Sequence, residues 1–390
     1  MGIVKMTQIE LIATATFGLE AVVAREVKSL GYGDAKTENA RISFHADLNA
    51  IPRGNLWLRS ADRILIKVGE FEALTYDQLF EGTKALPWDE WLGIDACFPV
   101  EGKSVRSKLF SVPDCQSIVK KAIVEKLKQR HHCQWFAETG PTYKIEIALL
   151  KDRATLTIDT SGPGLHKRGY RKLAVPAPLK ETLAAAMVGL SYWDPGRLLV
   201  DPFCGSGTIP IEAALIGLNV APGLRREFSA EKWPQIPGAL WREARQEAQE
   251  LIKQNLKLQI VGTDIDDDAI GIARYHLNLA GLEGRVHFQQ TPLDQLRNSH
   301  KYGCVICNPP YGERLGEQAE VEQIYRQMRQ VFEPLDTWSF YVLTACADFE
   351  RIYGKKADRR RKLYNGRLEC QYFQYYGPRP PRKGAGGSEK

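Results

Sequence analysis

Two apolar runs in the second half of the chain end in residues that can do chemistry. Leu198-Leu199-Val200 leads into Asp201-Pro202-Phe203-Cys204-Gly205-Ser206-Gly207-Thr208. Glycines at 205 and 207 let the backbone turn tightly and bring a bound molecule against main-chain N–H groups. Gly-x-Gly after a strand is shared by several kinds of nucleotide binder, and no lysine follows it, so the P-loop pattern is absent. Asp201 stands before the glycines, where a carboxylate repels a pyrophosphate but suits an ammonium or sulfonium cation. A structural turn with a capping acid is the alternative. The second run, Ile260-Val261-Gly262-Thr263, ends at Asp264-Ile265-Asp266. A carboxylate there can accept both hydroxyls of a ribose. Asp264 is the strand-end candidate and Asp266 the candidate helix cap.

A third run, Cys304-Val305-Ile306-Cys307, meets Asn308-Pro309-Pro310-Tyr311. Two prolines fix φ twice and remove two donors, so neither strand nor helix continues. The Asn308 side-chain oxygen and the Pro309 carbonyl offer two acceptors, as an exocyclic base –NH₂ requires. Tyr311 adds an aromatic face for stacking.

Alternating patterns must hold these ends in place. Helical spacing over 179–190, 208–216 and 268–280 alternates with strand patterns at 197–201, 259–263, 286–289 and 303–307, which reads as a parallel, doubly wound sheet. Asp264 follows Gly207 by 57 residues (264 − 207), where a minimal dinucleotide unit has about 20. An insertion from 221 to about 255, carrying Trp233 and Trp241, therefore sits between helix and strand. In the first half, the order strand 7–16, helix 17–30, a short extended pair around 41–44, helix 48–59 and strand 63–71 predicts a ferredoxin-like α+β unit. A second α+β block follows, with helices at 76–92 and 116–130 and strands at 96–105, 143–150 and 154–160. The expected domains are 1–70, 71–160 (the two interleaving from about 45), a basic linker 161–177, 178–383, and a disordered tail 384–390.

The net charge of +6 is modest, so a nucleic-acid reading must rest on where the cations lie. Residues 101–132 hold eight Lys/Arg against three acids, either a solvated helix face or a phosphate-contacting one. Residues 165–172 carry Lys167, Arg168, Arg171 and Lys172 without an acid, which reads as an RNA phosphate contact or a solvated linker. Residues 351–390 hold twelve Lys/Arg against three acids, a second phosphate contact or a solvated loop. Eight scattered cysteines in a chain too large to need staples read as reduced thiols of a cytoplasmic protein. Cys304-x-x-Cys307 lacks a second ligand pair and reads as buried strand, with no metal.

The Asp201–Thr208, Gly262–Asp266 and Asn308–Tyr311 stretches, in this order, resemble the cofactor and amino-methylation motifs of class I S-adenosylmethionine-dependent methyltransferases. Leu165-His-Lys-Arg-Gly-Tyr-Arg171, Ala177-Pro-Leu-Lys-Glu181 and Ala221-Pro-Gly-Leu-Arg-Arg-Glu227 look like those of the bacterial THUMP-domain RNA methyltransferases, similar to the large-subunit rRNA guanine-N2 enzymes. The resemblance implies S-adenosylmethionine as cofactor and methyl transfer to an exocyclic base amine, guanine N2 of 23S rRNA first. Asp201, Phe203, Gly205 and Gly207 would surround the methionine part and Asp264 the ribose, with Thr208 and Ile265 also in the cofactor site. Asn308 and Pro309 would hold the amine and Tyr311 stack on the base. Where the family often has an acid for the adenine amine, this chain reads Gln290-Thr-Pro-Leu-Asp294; either Asp294 serves from an offset position or backbone atoms read the adenine. The partner implied is structured RNA, large-subunit rRNA first, with no membrane, acting as monomer or homodimer. Adenine-N6 methylation of DNA or RNA uses the same Asn-Pro-Pro-Tyr chemistry and stays open. A non-catalytic RNA-binding protein is the alternative from another class.

Overall fold

The computed structural model describes residues 8–133, 135–173, 179–311 and 318–381. Residues 312–314, Ala177 and Pro178 of the second family motif, and the expected tail 384–390 lie outside them. The chain forms two compact units, Met1–Lys167 with Ala221–Glu250, and Arg168–Val220 with Leu251–Lys390.

The first unit is built on seven strands: β1 (Ile9–Ala15), β2 (Lys36–Glu38), β3 (Arg41–Ala46), β4 (Ala61–Glu72), β5 (Val100–Val105), β6 (Lys144–Leu150) and β7 (Arg153–Asp159). They form one sheet in the order β2-β3-β1-β4-β7-β6-β5. The long β4 joins its halves, pairing with β1 on one side and with β7 on the other. The ferredoxin-like and THUMP halves are therefore continuous through backbone hydrogen bonds. Only β5 and β6 run parallel. The helix expected over 76–92 divides into Tyr76–Ala85 and Trp88–Trp91, because Pro87 has no N–H to continue it. Val112–His131 packs Cys115, Val119, Ala122, Ile123 and Leu127 into the core.

The insertion contributes to this first unit rather than to the sheet it interrupts. Its helix Gly238–Glu250 and the preceding loop bury Phe228, Trp233 and Trp241 in the first core. Trp233 stacks on Tyr143 with ring centroids 4.5 Å apart, and its indole N–H donates to the Thr142 carbonyl at 3.0 Å. Arg53 holds Glu247 through two contacts of 3.1 Å. The boundary expected across a linker at 161–177 falls between Lys167 and Arg168, and the chain passes between the units three times.

The second unit has β8 (Leu199–Asp201), β9 (Ile260–Asp264), β10 (His287–Gln290), β11 (Cys304–Cys307), β12 (Ser339–Thr344), β13 (Arg359–Asn365) and β14 (Leu368–Tyr375). The order is β10-β9-β8-β11-β12-β14-β13. The first five strands of that order run parallel; β14 and β13 close the edge antiparallel. Chain order reverses between β8 and β11, the switch point where open α/β sheets collect ligands. Among the described residues, no helix is long and apolar enough to cross a membrane.

Candidate active site

β8, β9 and β11 are neighbours with matched register: Val200 lies opposite both Val261 and Val305, and Asp201 opposite Gly262. The ends of these three strands thus put Asp201, Asp264 and Asn308 at one carboxyl edge, with Asp201 and Asn308 on the two sides of the switch point.

Asp264 fixes the glycine loop as well as ending its strand. Its Oδ2 accepts from the Gly205 N–H at 2.9 Å and its Oδ1 from the Asp266 N–H at 3.1 Å. Asp266 caps the helix Asp267–Leu279, accepting from the Asp268 N–H, so the two acids divide the strand-end and capping roles. Gly205 has φ +49° and nothing within 4 Å of where a Cβ would stand, which leaves an open cradle of backbone. Gly207 has φ +81°, and a Cβ there would come within 2.7 Å of Phe288; both conformation and packing require glycine. Thr208 begins the helix Thr208–Gly217. Ile265 is 71% exposed beside Asp264, an apolar side chain open to a ring.

Asp201 is 1% exposed, and among the described residues no cation pairs with it. Burial pushes its carboxyl well above the usual range. The Phe203 N–H at 3.1 Å opposes that shift and nearby Asp264 adds to it. The Cys204 and Cys307 thiols are pushed up by the same burial and by Asp201 itself. A dry acid that lacks a cation beside an open backbone cradle fits a ligand carrying an ammonium or sulfonium cation.

At the elbow, the Tyr311 hydroxyl donates to Asn308 Oδ1, the acceptor that sequence reasoning reserves for the target amine. Burial, with Cys370 nearby, pushes the Tyr311 hydroxyl up. Pro309 is buried, while the Pro310 carbonyl accepts from Tyr325 at 2.9 Å. Tyr325 also shares a hydrogen bond with Thr344 at 2.8 Å. Tyr325 belongs to the helix Gln318–Phe332, which sequence reasoning leaves unread. Its apolar series Val321, Tyr325, Met328, Phe332 was signal enough to find it. Asp294 follows the end of β10, where the Thr291 N–H donates to the Asp264 carbonyl at 2.8 Å. Asp294 is exposed and lines a cavity of about 690 Å³ with Leu296, Arg297, Gln327 and Val331, which none of the other motif residues lines.

Residues 168–374 match the family model described as RMKL-like, methyltransferase domain. The chain belongs to that family. Residues 10–65 match the RlmL ferredoxin-like domain and 73–159 the THUMP domain. "Putative RNA methyltransferase YpsC" of Bacillus subtilis (strain 168) is 52% identical, with 97% of this chain and 99% of the relative covered. "Ribosomal RNA large subunit methyltransferase K/L" of Syntrophotalea carbinolica is 35% identical over 94% of this chain but 53% of its own length, so the chain spans about half of it. The crystal structure of "SMU.472, a putative methyltransferase complexed with SAH" superposes with a TM-score of 0.91 at 47% identity, covering 96% of this chain and 99% of that one. The cofactor of this RMKL-like methyltransferase is S-adenosylmethionine.

The RMKL-like unit corrects one expectation for the basic segment. Arg168 is 3% exposed and faces Glu212, itself fully buried, with Nε–Oε1 and Nη2–Oε2 contacts of 3.4 Å. Arg171 donates to Thr208 Oγ1 at 2.5 Å and to the Leu179 carbonyl at 2.8 Å, and lies 3.5 Å from Glu181. Arg168 is therefore closed to phosphate and Arg171 is engaged inside its own unit; Lys167 and Lys172 are exposed. In the THUMP half, Lys103, Lys120, Lys126, Lys128 and Arg130 pair with Glu146, Glu138, Asp89, Glu125 and Asp89. Arg106 and Lys108 have no acidic partner among the described residues. They stand on a loop tied to the β6–β7 hairpin by the Lys108 N–H on Asp152 (2.6 Å) and the Asp152 N–H on Ser107 (3.0 Å). Arg106, Lys151 and Asp152 all hold positive φ, and Phe110 beside them is 82% exposed. In the C-terminal basic stretch, Arg351, Arg360 and Lys362 pair with Asp348, Glu350 and Glu369. Cys304 and Cys307 are buried free thiols of β11.

Proposed function

We propose that this chain methylates an exocyclic amine of a base in structured RNA, with guanine N2 of large-subunit rRNA as the target. The observation that carries the reading is the pairing, across the switch point, of a buried acid lacking a cation with an elbow of fixed acceptors. S-adenosylmethionine supplies an electrophilic methyl group on a sulfonium. Asp201 would hold a cation of the methionine part, and the Gly205 cradle and Asp264 would orient the rest of the cofactor. Asn308 Oδ1 and the Pro309 carbonyl accept the two N–H bonds of the amine, favour a pyramidal nitrogen and aim its lone pair. The incoming amine takes the oxygen that the Tyr311 hydroxyl otherwise holds, freeing the ring to stack. Positioning and electrostatics carry the reaction, and the product proton leaves afterwards. The target base is unpaired or flipped to reach these groups. Arg106, Lys108 and Phe110, on a loop fixed by hydrogen bonds, support RNA contact through phosphate and stacking together.

The test is Asn308→Ala, which abolishes methyl transfer while S-adenosylhomocysteine still binds by calorimetry; normal turnover by this variant refutes the assignment. Mass-spectrometric nucleoside analysis of rRNA, tRNA and DNA from cells with and without the protein separates guanine N2 from adenine N6.

A further inference from the structure

The sequence Arg168-Gly169-Tyr170-Arg171-Lys172-Leu173 is engaged at three places on one small part of the second unit. Arg168 and the Tyr170 hydroxyl both meet Glu212, the latter at 3.1 Å. Arg171 meets Thr208 at 2.5 Å. Thr208 and Glu212 are four residues apart on the helix Thr208–Gly217, hence on one face, and that helix begins where the glycine loop ends. The Leu173 N–H donates to Nε2 of His276 at 3.4 Å, and Nδ1 of His276 lies 3.2 Å from the Ser206 carbonyl. These contacts assign His276 the neutral tautomer with its proton on Nδ1: Nε2 accepts from the strap and Nδ1–H donates to the loop. His276 is fully buried, and burial lowers its affinity for a second proton. Ser206 and Thr208 flank Gly207, the residue at φ +81°. The segment therefore grips the cofactor loop on both sides of its tightest turn.

We propose that Arg171 and His276 are positioning residues for the methyl donor: they hold Thr208 and Ser206, and through them set the backbone cradle at Gly205. A segment that composition marks as an RNA contact thus acts on the cofactor side. The inference rests on the cofactor pocket proposed above. It extends that pocket to residues that need not touch the ligand.

The experiment measures S-adenosylhomocysteine binding by calorimetry, RNA binding by filter retention and thermal stability, all on the full chain. The variants are Arg171→Met, His276→Phe, Thr208→Val and Thr208→Ser. The expected result is affinity for S-adenosylhomocysteine about ten-fold weaker in the first three and within about three-fold of the parent in Thr208→Ser, which keeps the hydroxyl. RNA affinity stays at the parent level. Should Arg171→Met or His276→Phe unfold the protein, position 208 still decides, since Thr208→Val replaces by a methyl the hydroxyl that Arg171 holds and Thr208→Ser keeps it. Equal cofactor affinity in Thr208→Val and Thr208→Ser overturns the proposal. So does loss of RNA affinity with cofactor affinity intact in Arg171→Met. If the parent itself binds no S-adenosylhomocysteine, the cofactor pocket is wrong and this proposal falls with it; if the parent binds and the variants bind equally, only this inference fails.

Discussion

Two buried acids of the second unit, Glu212 and Asp201, differ in what surrounds them. Glu212 is enclosed by Arg168 and the Tyr170 hydroxyl, all supplied by the chain. Asp201 is equally dry but receives only the Phe203 N–H, and no cation answers it among the described residues. A buried charge answered from within the chain is architecture, whereas one left unanswered points to a ligand of opposite sign. The cations divide the same way: Arg168 is internal, while the side chains of Arg106 and Lys108 on the THUMP loop have no acidic partner among the described residues. Sequence spacing cannot separate these cases, because Arg168 and Lys167 are adjacent, the first buried and the second exposed.

The largest effect expected is at the enclosed acid. Arg168→Met leaves the Glu212 carboxylate uncompensated and lowers stability by about 3–5 kcal/mol in urea denaturation, and adding Glu212→Leu recovers most of it. A small loss in the single variant removes the contrast with Asp201. The next effect is opposite in kind. Above the pH at which the folded Asp201 carboxyl ionises, Asp201→Asn raises the melting temperature of the unliganded protein, because the parent must there bury a carboxylate, and the variant weakens S-adenosylhomocysteine binding by at least about ten-fold. Calorimetry and thermal denaturation of the same sample read both.

The pH dependence follows from the raised carboxyl of Asp201. Protonation is favoured in the fold, so its contribution to stability is fully present below the unfolded value of about 3.9 and is lost as pH rises through the folded value. Cofactor affinity rises over the same window as the carboxylate forms, and Asp201→Asn flattens both trends. The smallest effect expected is at the open cations. Arg106→Ala and Lys108→Ala together leave stability within about 0.5 kcal/mol and reduce the salt slope of RNA binding by about one per cation. An unchanged slope moves RNA recognition off this loop.

The three strand ends were legible in the sequence because their signals are local: two glycines at positive φ, an acid at a strand's end and a double proline each announce themselves within eight residues. The ferredoxin-like order was legible for the same reason. The destination of Ala221–Glu250 was not, since the partners of Trp233, Thr142 and Tyr143, lie far back in chain order, and a tryptophan does not name its partner. Tyr311 shows a different limit. Its ring was readable as a stacking face, but its hydroxyl's hold on Asn308 depends on a rotamer.

The return of Ala221–Glu250 to the first unit also sets an order in time. Residues up to Lys167 leave the ribosome without Phe228, Trp233 and Trp241, which complete their core. That core waits for another 83 residues (250 − 167), about 4–17 s at ordinary elongation rates. Meanwhile the nascent chain carries an apolar socket for two indoles, and the methyltransferase sheet is begun before the THUMP-bearing unit is finished. A fragment cut at Lys167 reproduces this unfinished state permanently, so the two units are made as one folding project.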